Sequence, residues 1–319
     1  MALRYDPEWY KLAEPVLQAS AQAIKPALGD VTQRRLNVET LIAPLYARIP
    51  VAADVESTKI KITSYDGAEI ELVRFSKVGA TPGPAIIHLH GGGMIAGSVE
   101  AFSTPIKNYT SATGVQFFSV EYRLAPEHPD PTPVEDSYSA LLWLHKHAAE
   151  FGIDPARIGV IGESAGAGLA AGVALLARDR KLEPPLAKQI LVYPMLDSRN
   201  LSHEKNKALA PFLVWSVDSN ITGWQALLGD RLGTDKVSPY ASPAHAKDVS
   251  GLPSTYIDTG DLDLFRDEDI AYLGRIAAAN VSVEFHIYPG VPHAFEVLAP
   301  QAPVTQAAIA NRIRAIKSI

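Results

Sequence analysis

Apolar residues recur at helical spacing over residues 1 to about 50: Leu12, Val16, Ala19 and Ala23, then Val38, Leu41, Ile42, Leu45 and Tyr46. Prolines at 7, 15 and 26 are expected to break this segment into short pieces. The period changes near Lys59. Residues 59–64 and 69–75 alternate polar and apolar side chains, as half-buried strands do, with an Asp66-Gly67 turn between them. At Pro84 it changes again. Pro84-Ala85-Ile86-Ile87-His88-Leu89-His90 is nearly continuous in apolar residues, which suits an interior strand of a parallel sheet.

Strands and helices then alternate. Strands are predicted at 116–120, at 157–161, at 189–193, at 254–258 and at 281–288. Helices are predicted over 134 to about 150, from 167 onward, over roughly 268–279 and near 307–316. Repeated strand–helix units imply an α/β fold with a doubly wound, mostly parallel sheet. Residues 195–245 are too long for a simple crossover and carry Trp215 and Trp224, so they are read as an insertion. The expected organisation is residues 1–50 as the N-terminal helical part of a cap, 51–194 as the first part of a catalytic domain, 195–245 as the cap insertion and 246–319 as the second part. Cap segments of this kind would cover the C-terminal edge of the sheet, where open α/β folds bind ligands.

Composition narrows the function. The 319 residues are 47% apolar and 20% charged, the balance of a protein with a substantial core. The net charge of −6, with no basic cluster, speaks against nucleic acid or an anionic membrane surface as a partner. The chain has no cysteine, which removes disulfides, thiolate metal sites and a cysteine nucleophile together. The first ten residues have no apolar signal core, and no run approaches the ~18 apolar residues of a membrane span. A cytoplasmic protein is expected.

The candidate chemistry centres on Gly162-Glu163-Ser164-Ala165-Gly166, which follows a predicted strand and precedes a helix. In that context G-x-S-x-G is a nucleophile elbow: a sharp strand-to-helix turn that lifts a serine hydroxyl to a helix N-terminus. The bland alternative is a glycine-rich turn with an incidental serine. A serine needs a general base and the base needs an orienting acceptor, in the chain order Ser, acid, His. His293 follows the last predicted strand. Asp261 and Asp263 follow the strand before it, and spacing alone does not separate them. The developing oxyanion needs N–H donors. Ala165 would supply one, and His90-Gly91-Gly92-Gly93, three glycines after a buried strand, would supply the others. A histidine base also implies a rate that falls below about pH 6.

Together these residues resemble the hormone-sensitive-lipase family of α/β-hydrolases, the HGGG-type carboxylesterases. The likeness runs from about residue 59 to the end. It rests on His90–Gly93, Tyr122-Arg123-Leu124-Ala125-Pro126-Glu127-His128-Pro129, the 162–166 elbow, Tyr193-Pro194-Met195-Leu196-Asp197, Asp263-Leu264-Phe265-Arg266-Asp267-Glu268 and Pro292-His293-Ala294-Phe295. The resemblance implies an α/β-hydrolase fold with a helical cap and selects Asp263 as the triad acid. It implies Gly92, Gly93 and Ala165 as oxyanion donors, with Gly91 a further candidate. It gives His90 a role in shaping the loop and makes the 122–129 stretch structural. The chain departs from the family in having Glu163 where Asp is frequent, and Gly166-Ala167 where Gly-Gly is frequent.

The rival readings are weaker. No H-E-x-x-H or similar pair supports a metal site, and the acidic run at 261–269 has Arg266 where a calcium loop needs glycine. The glycines around the elbow lack dinucleotide-binding spacing. The gibberellin receptors of plants resemble this fold and only bind a ligand, but they lack the working histidine that His293 would be. An amidase or peptidase using the same triad is the closer rival. The expected protein is therefore a serine carboxylesterase for short- to medium-chain acyl esters. Ser164, Asp263 and His293 would be catalytic, with a small-molecule ester as substrate, no metal, no cofactor, and a homodimer as an assembly to consider.

Overall fold

The computed structural model describes residues 3–319, with the side chains of 41–43 excepted, so the expected apolar positions Leu41 and Ile42 lie outside the described side chains. Two helices, α1 (Pro7–Ala21) and α2 (Val31–Tyr46), precede the sheet. Pro15 lies inside α1 and does not divide it. Pro7 stands in the first turn, where a missing N–H costs nothing, and Asp6 caps the helix by accepting from the Trp9 N–H at 2.8 Å. Of the three prolines, Pro26 falls between the helices.

The strands are β1 (Val55–Thr63), β2 (Glu69–Lys77), β3 (Gly83–Leu89), β4 (Gln116–Glu121), β5 (Ile153–Glu163), β6 (Lys188–Val192), β7 (Ser254–Gly260) and β8 (Val283–Tyr288). They form one eight-stranded sheet in the order β1-β2-β4-β3-β5-β6-β7-β8. β1 and β2 are the expected antiparallel hairpin, β2 pairs antiparallel with β4, and every other pairing is parallel. The helices between and after the strands are α3 (Ser103–Thr113), α4 (Thr132–His147), α5 (Ala165–Asp179), α6 (Val217–Leu228), α7 (Arg266–Ala278), the single turn α8 (Phe295–Leu298) and α9 (Pro303–Lys317). α3 has no counterpart among the sequence expectations, because its polar sequence, STPIKNYTSAT, carries only a thin apolar stripe.

Strand alternation builds two cores. Ile87, Phe118, Val160, Leu191 and Ile257 point to one face, where α4, α5 and α7 pack. Their chain neighbours Ile86, Phe117, Ile161, Ile190 and Tyr256 point to the other, against α1, α3 and α9. This is why the central strands read as unbroken apolar runs. The 195–245 stretch is divided in its allegiance. Trp224 is fully buried and, with Val217, Leu227 and Leu228, joins the first core, whereas the segment around Phe212–Trp215 faces a cavity over the sheet.

Candidate active site

Ser164 sits between β5 and α5 at φ 56°, ψ −118°, a strained conformation for a residue with a side chain. The turn demands its glycines. A Cβ on Gly162 would lie 2.3 Å from the Gly166 backbone, and one on Gly166 would lie 2.0 Å from the Leu89 carbonyl oxygen. The Ser164 N–H donates to the Val192 carbonyl at 2.9 Å, and its own carbonyl accepts from Gly168 and Met195 at 3.0 Å each. A rigid frame thus holds an otherwise unfavourable backbone.

His293 Nε2 lies 2.9 Å from Ser164 Oγ, and His293 Nδ1 lies 2.7 Å from Asp263 Oδ2. All three side chains are buried, Asp263 completely. The other Asp263 oxygen accepts from the Phe265 N–H at 2.9 Å, which fixes the carboxylate's orientation. With its proton on Nδ1, the imidazole donates to Asp263 and offers the Nε2 lone pair to the serine hydroxyl. Tyr193 and Phe265 pack edge-on against the ring, with centroids 4.5 and 5.2 Å away. Asp261, left level with Asp263 by spacing, points elsewhere. Its Oδ1 accepts from the Gly290 N–H at 2.6 Å and ties the two loops together.

The glycine loop lies against the elbow. A Cβ on Gly91 would stand 3.5 Å from Ser164 Cβ. Gly92 and Gly93 adopt φ values of 129° and 65°, open to glycine and hostile to other residues. A Cβ on Gly92 would overlap the Ala96 carbonyl oxygen at 2.0 Å, and one on Gly93 would meet the Trp215 ring at 2.5 Å. Among the described residues, no protein acceptor takes the Gly92 or Gly93 N–H. The Ala165 N–H, in the first turn of α5, belongs to the set that a helix leaves without an internal acceptor.

His90 stays out of proton chemistry. Burial pushes its pKa down to about 3, its Nδ1 lies 2.9 Å from the Gly91 carbonyl, and Tyr122 stacks on its ring at 4.2 Å. Tyr122 also donates its hydroxyl to the His90 carbonyl at 2.7 Å. Glu163 faces a second buried histidine: His88 Nε2 lies 3.0 Å from its Oε2, and His88 Nδ1 lies 2.7 Å from Ser119 Oγ. Arg35 of α2 donates to the Ile95 and Ala125 carbonyls at 2.6 and 2.8 Å, which anchors α2 to the segment after the glycines. The same guanidinium grips Glu127 and holds its pKa down at about 2, so the 122–129 stretch serves as an anchor.

A cavity of about 720 Å³ opens above Ser164. Leu17 of α1, Ile24 of the connection after it and Val38 of α2 line it from one side, and Phe212, Leu213 and Trp215 from the 195–245 stretch. Among the described residues, no group of three or more His, Asp or Glu side chains is disposed to hold a metal ion. No described helix is long and apolar enough to cross a membrane. Of the residues around the site, Arg35 was not singled out from the sequence; Trp215 entered only as a marker of the 195–245 insertion, and Tyr193 only through its place in the 193–197 motif.

Comparison with known proteins agrees with this architecture. Residues 86–297 match a family described by the α/β-hydrolase fold. Carboxylesterase NlhH of Mycobacterium tuberculosis is 36% identical over 236 residues, 73% of this chain and 73% of its own. The arylesterase of Saccharolobus solfataricus is 32% identical over 264 residues, 82% and 83% of the two chains. Among solved structures, a bacterial heroin esterase superposes with a TM-score of 0.89 at 35% identity, covering 98% of this chain and 97% of its own.

Proposed function

This chain belongs to the hormone-sensitive-lipase family of α/β-hydrolases, and from that starting point we propose that it is a serine carboxylesterase acting on short- to medium-chain acyl esters. The observation that carries the proposal is the hydrogen-bonded line from Asp263 through His293 to Ser164, at 2.7 and 2.9 Å. Ser164 Oγ attacks the ester carbonyl while His293 Nε2 takes its proton. The carbonyl oxygen gains the negative charge and is held by the N–H groups of Gly92, Gly93 and Ala165. Collapse of the tetrahedral intermediate breaks the C–O bond, and the imidazolium returns the proton to the leaving alkoxide. Water then attacks the acyl-enzyme with His293 again as base, which releases the acid and restores the serine. Asp263 holds the ring in the useful tautomer and stabilises the imidazolium.

The cap consists of residues 1–50 with part of 195–245, and the apolar cavity wall suits an acyl chain or a hydrophobic alcohol. We assign the activity to the cytoplasm, which the cysteine-free composition suits, and a homodimer is the assembly to test by sedimentation.

The competing amidase reading is tested on the same protein. In a series of p-nitrophenyl esters from acetate to palmitate, kcat/KM is expected to peak at short or medium chains. The matching p-nitroanilides should turn over at least about a hundredfold more slowly, a barrier difference of about 2.7 kcal/mol, because amide resonance stabilises the anilide and its amine is the poorer leaving group. Anilide turnover equal to ester turnover would favour the amidase.

A further inference from the structure

Arg312, on α9, is a buried cation outside the machinery described so far, with 1% of its surface exposed. Its guanidinium forks onto Asp258, Nε to Oδ2 at 2.7 Å and Nη2 to Oδ1 at 3.0 Å. Its Nη1 donates to Glu296 Oε1 at 3.0 Å. Asp258 lies in β7, the strand that leads into Asp263. Glu296 lies in α8, directly after His293. Glu296 Oε1 also accepts from the Tyr193 hydroxyl, and the Tyr193 ring is the one packed edge-on against His293. Tyr193 itself is held at φ 36°, with its N–H donating to the Asp258 carbonyl at 2.7 Å. The guanidinium completes the cluster by lying over the rings of Tyr193 and Phe295, at 5.5 and 5.7 Å.

A buried ionic cluster is a weaker source of stability than apolar packing of the same volume, so its location is what calls for a reason. It touches the ends of β6 and β7 and the turn after His293, which are the supports of the base and of its acid.

We propose that Arg312, Glu296 and Tyr193 are positioning residues: Arg312 clamps β7 to α8, and Glu296 and Tyr193 carry that constraint to the His293 ring, setting its distance to Ser164. The proposal rests on the reading of Ser164, His293 and Asp263 as the catalytic groups. None of the three clamp residues exchanges a proton with the substrate. Their contribution is the geometry of a proton transfer, in which a displacement of about 1 Å can cost on the order of a hundredfold in rate.

The test compares Glu296→Ala, Glu296→Gln, Tyr193→Phe and the double variant Tyr193→Phe/Glu296→Ala. It measures kcat and KM on p-nitrophenyl butyrate, the rate of covalent labelling by a serine-directed phosphonate, and Tm, with rates normalised to titrated active sites. Glu296→Ala should lower kcat and the labelling rate by on the order of tenfold while KM stays within about twofold. Glu296→Gln keeps an oxygen for both Arg312 and Tyr193 and should restore most of the rate. The double variant should be no slower than Glu296→Ala, because both changes cut the same connection. Wild-type kcat and labelling in the single variants, with only Tm reduced, would overturn the clamp and leave the cluster as packing. Tyr193→Phe keeps the ring and decides the matter alone if Glu296→Ala does not fold. A wild type that the phosphonate does not label brings down the catalytic reading itself, and that result is distinct from any of the variant outcomes.

Discussion

Asp261 and Asp263 illustrate what one side chain's surroundings decide. Both follow β7, and their spacing from the strand is equally suitable. Their partners differ: Asp263 meets His293, whereas Asp261 accepts from the Gly290 backbone. Asp263→Asn should therefore lower kcat by about 10⁴, since an amide in that position favours the wrong imidazole tautomer. Asp261→Asn should change kcat by less than about threefold, because it alters a loop contact away from the imidazole. Steady-state kinetics on one ester decides, and the opposite ranking would reassign the acid. Ser164 and His293 were legible as candidates because each follows a strand end within a recognisable local motif. Glu296 and Arg312 were not, since an acid in a short turn and an arginine in the last helix look like ordinary surface residues. Only the fold brings Arg312 to Asp258, across 54 positions of chain. Glu268 stands in the first turn of α7, where the helix dipole favours an acid, but the structure gives it more to do. It accepts from the Leu196 and Asp197 N–H groups and from Asn200, while burial pushes its pKa up to about 8.

Among the elements, the strands were the most legible because β3 to β7 are covered on both faces, and residues such as Ile86-Ile87 and Phe117-Phe118 serve opposite cores. α3 was not legible. Its burial is supplied by Ile106, Tyr109 and Thr110, too few apolar side chains to mark a period. The expected break at Pro15 failed for a similar reason: α1 is held by Trp9, Ala13 and Val16 against the body, and this packing outweighs one lost backbone bond. The glycine loop could be located from sequence, but the packing of Trp215 against it could not. Trp215 leaves no room for a side chain on Gly93. Gly93→Ala is expected to lower kcat about tenfold or more, the scale of a misplaced oxyanion donor. In a Trp215→Ala background the loss should shrink without vanishing, because the φ of 65° still opposes a Cβ. Wild-type kcat in Gly93→Ala would contradict the role given to that loop.

Across the whole molecule, the sheet acts as a jig. Parallel strands β3, β5, β6, β7 and β8 end on the same edge, so the glycine loop, Ser164, Tyr193, Asp263 and His293 meet there although they span about two hundred positions of chain. Residues of α1, α2 and the Phe212–Trp215 segment line the cavity above them, and Arg35 ties α2 to the segment after the glycines. Ester hydrolysis by this assembly requires Ser164 to be its activated nucleophile. The most direct test of this is intact-mass analysis after treatment with a serine-directed organophosphonate, on the wild type and on Ser164→Ala. We predict a single phosphonyl adduct on the wild type, loss of esterase activity in step with labelling, and no adduct on the variant. Equal labelling of both proteins, or a wild type that hydrolyses esters without being labelled, would contradict it.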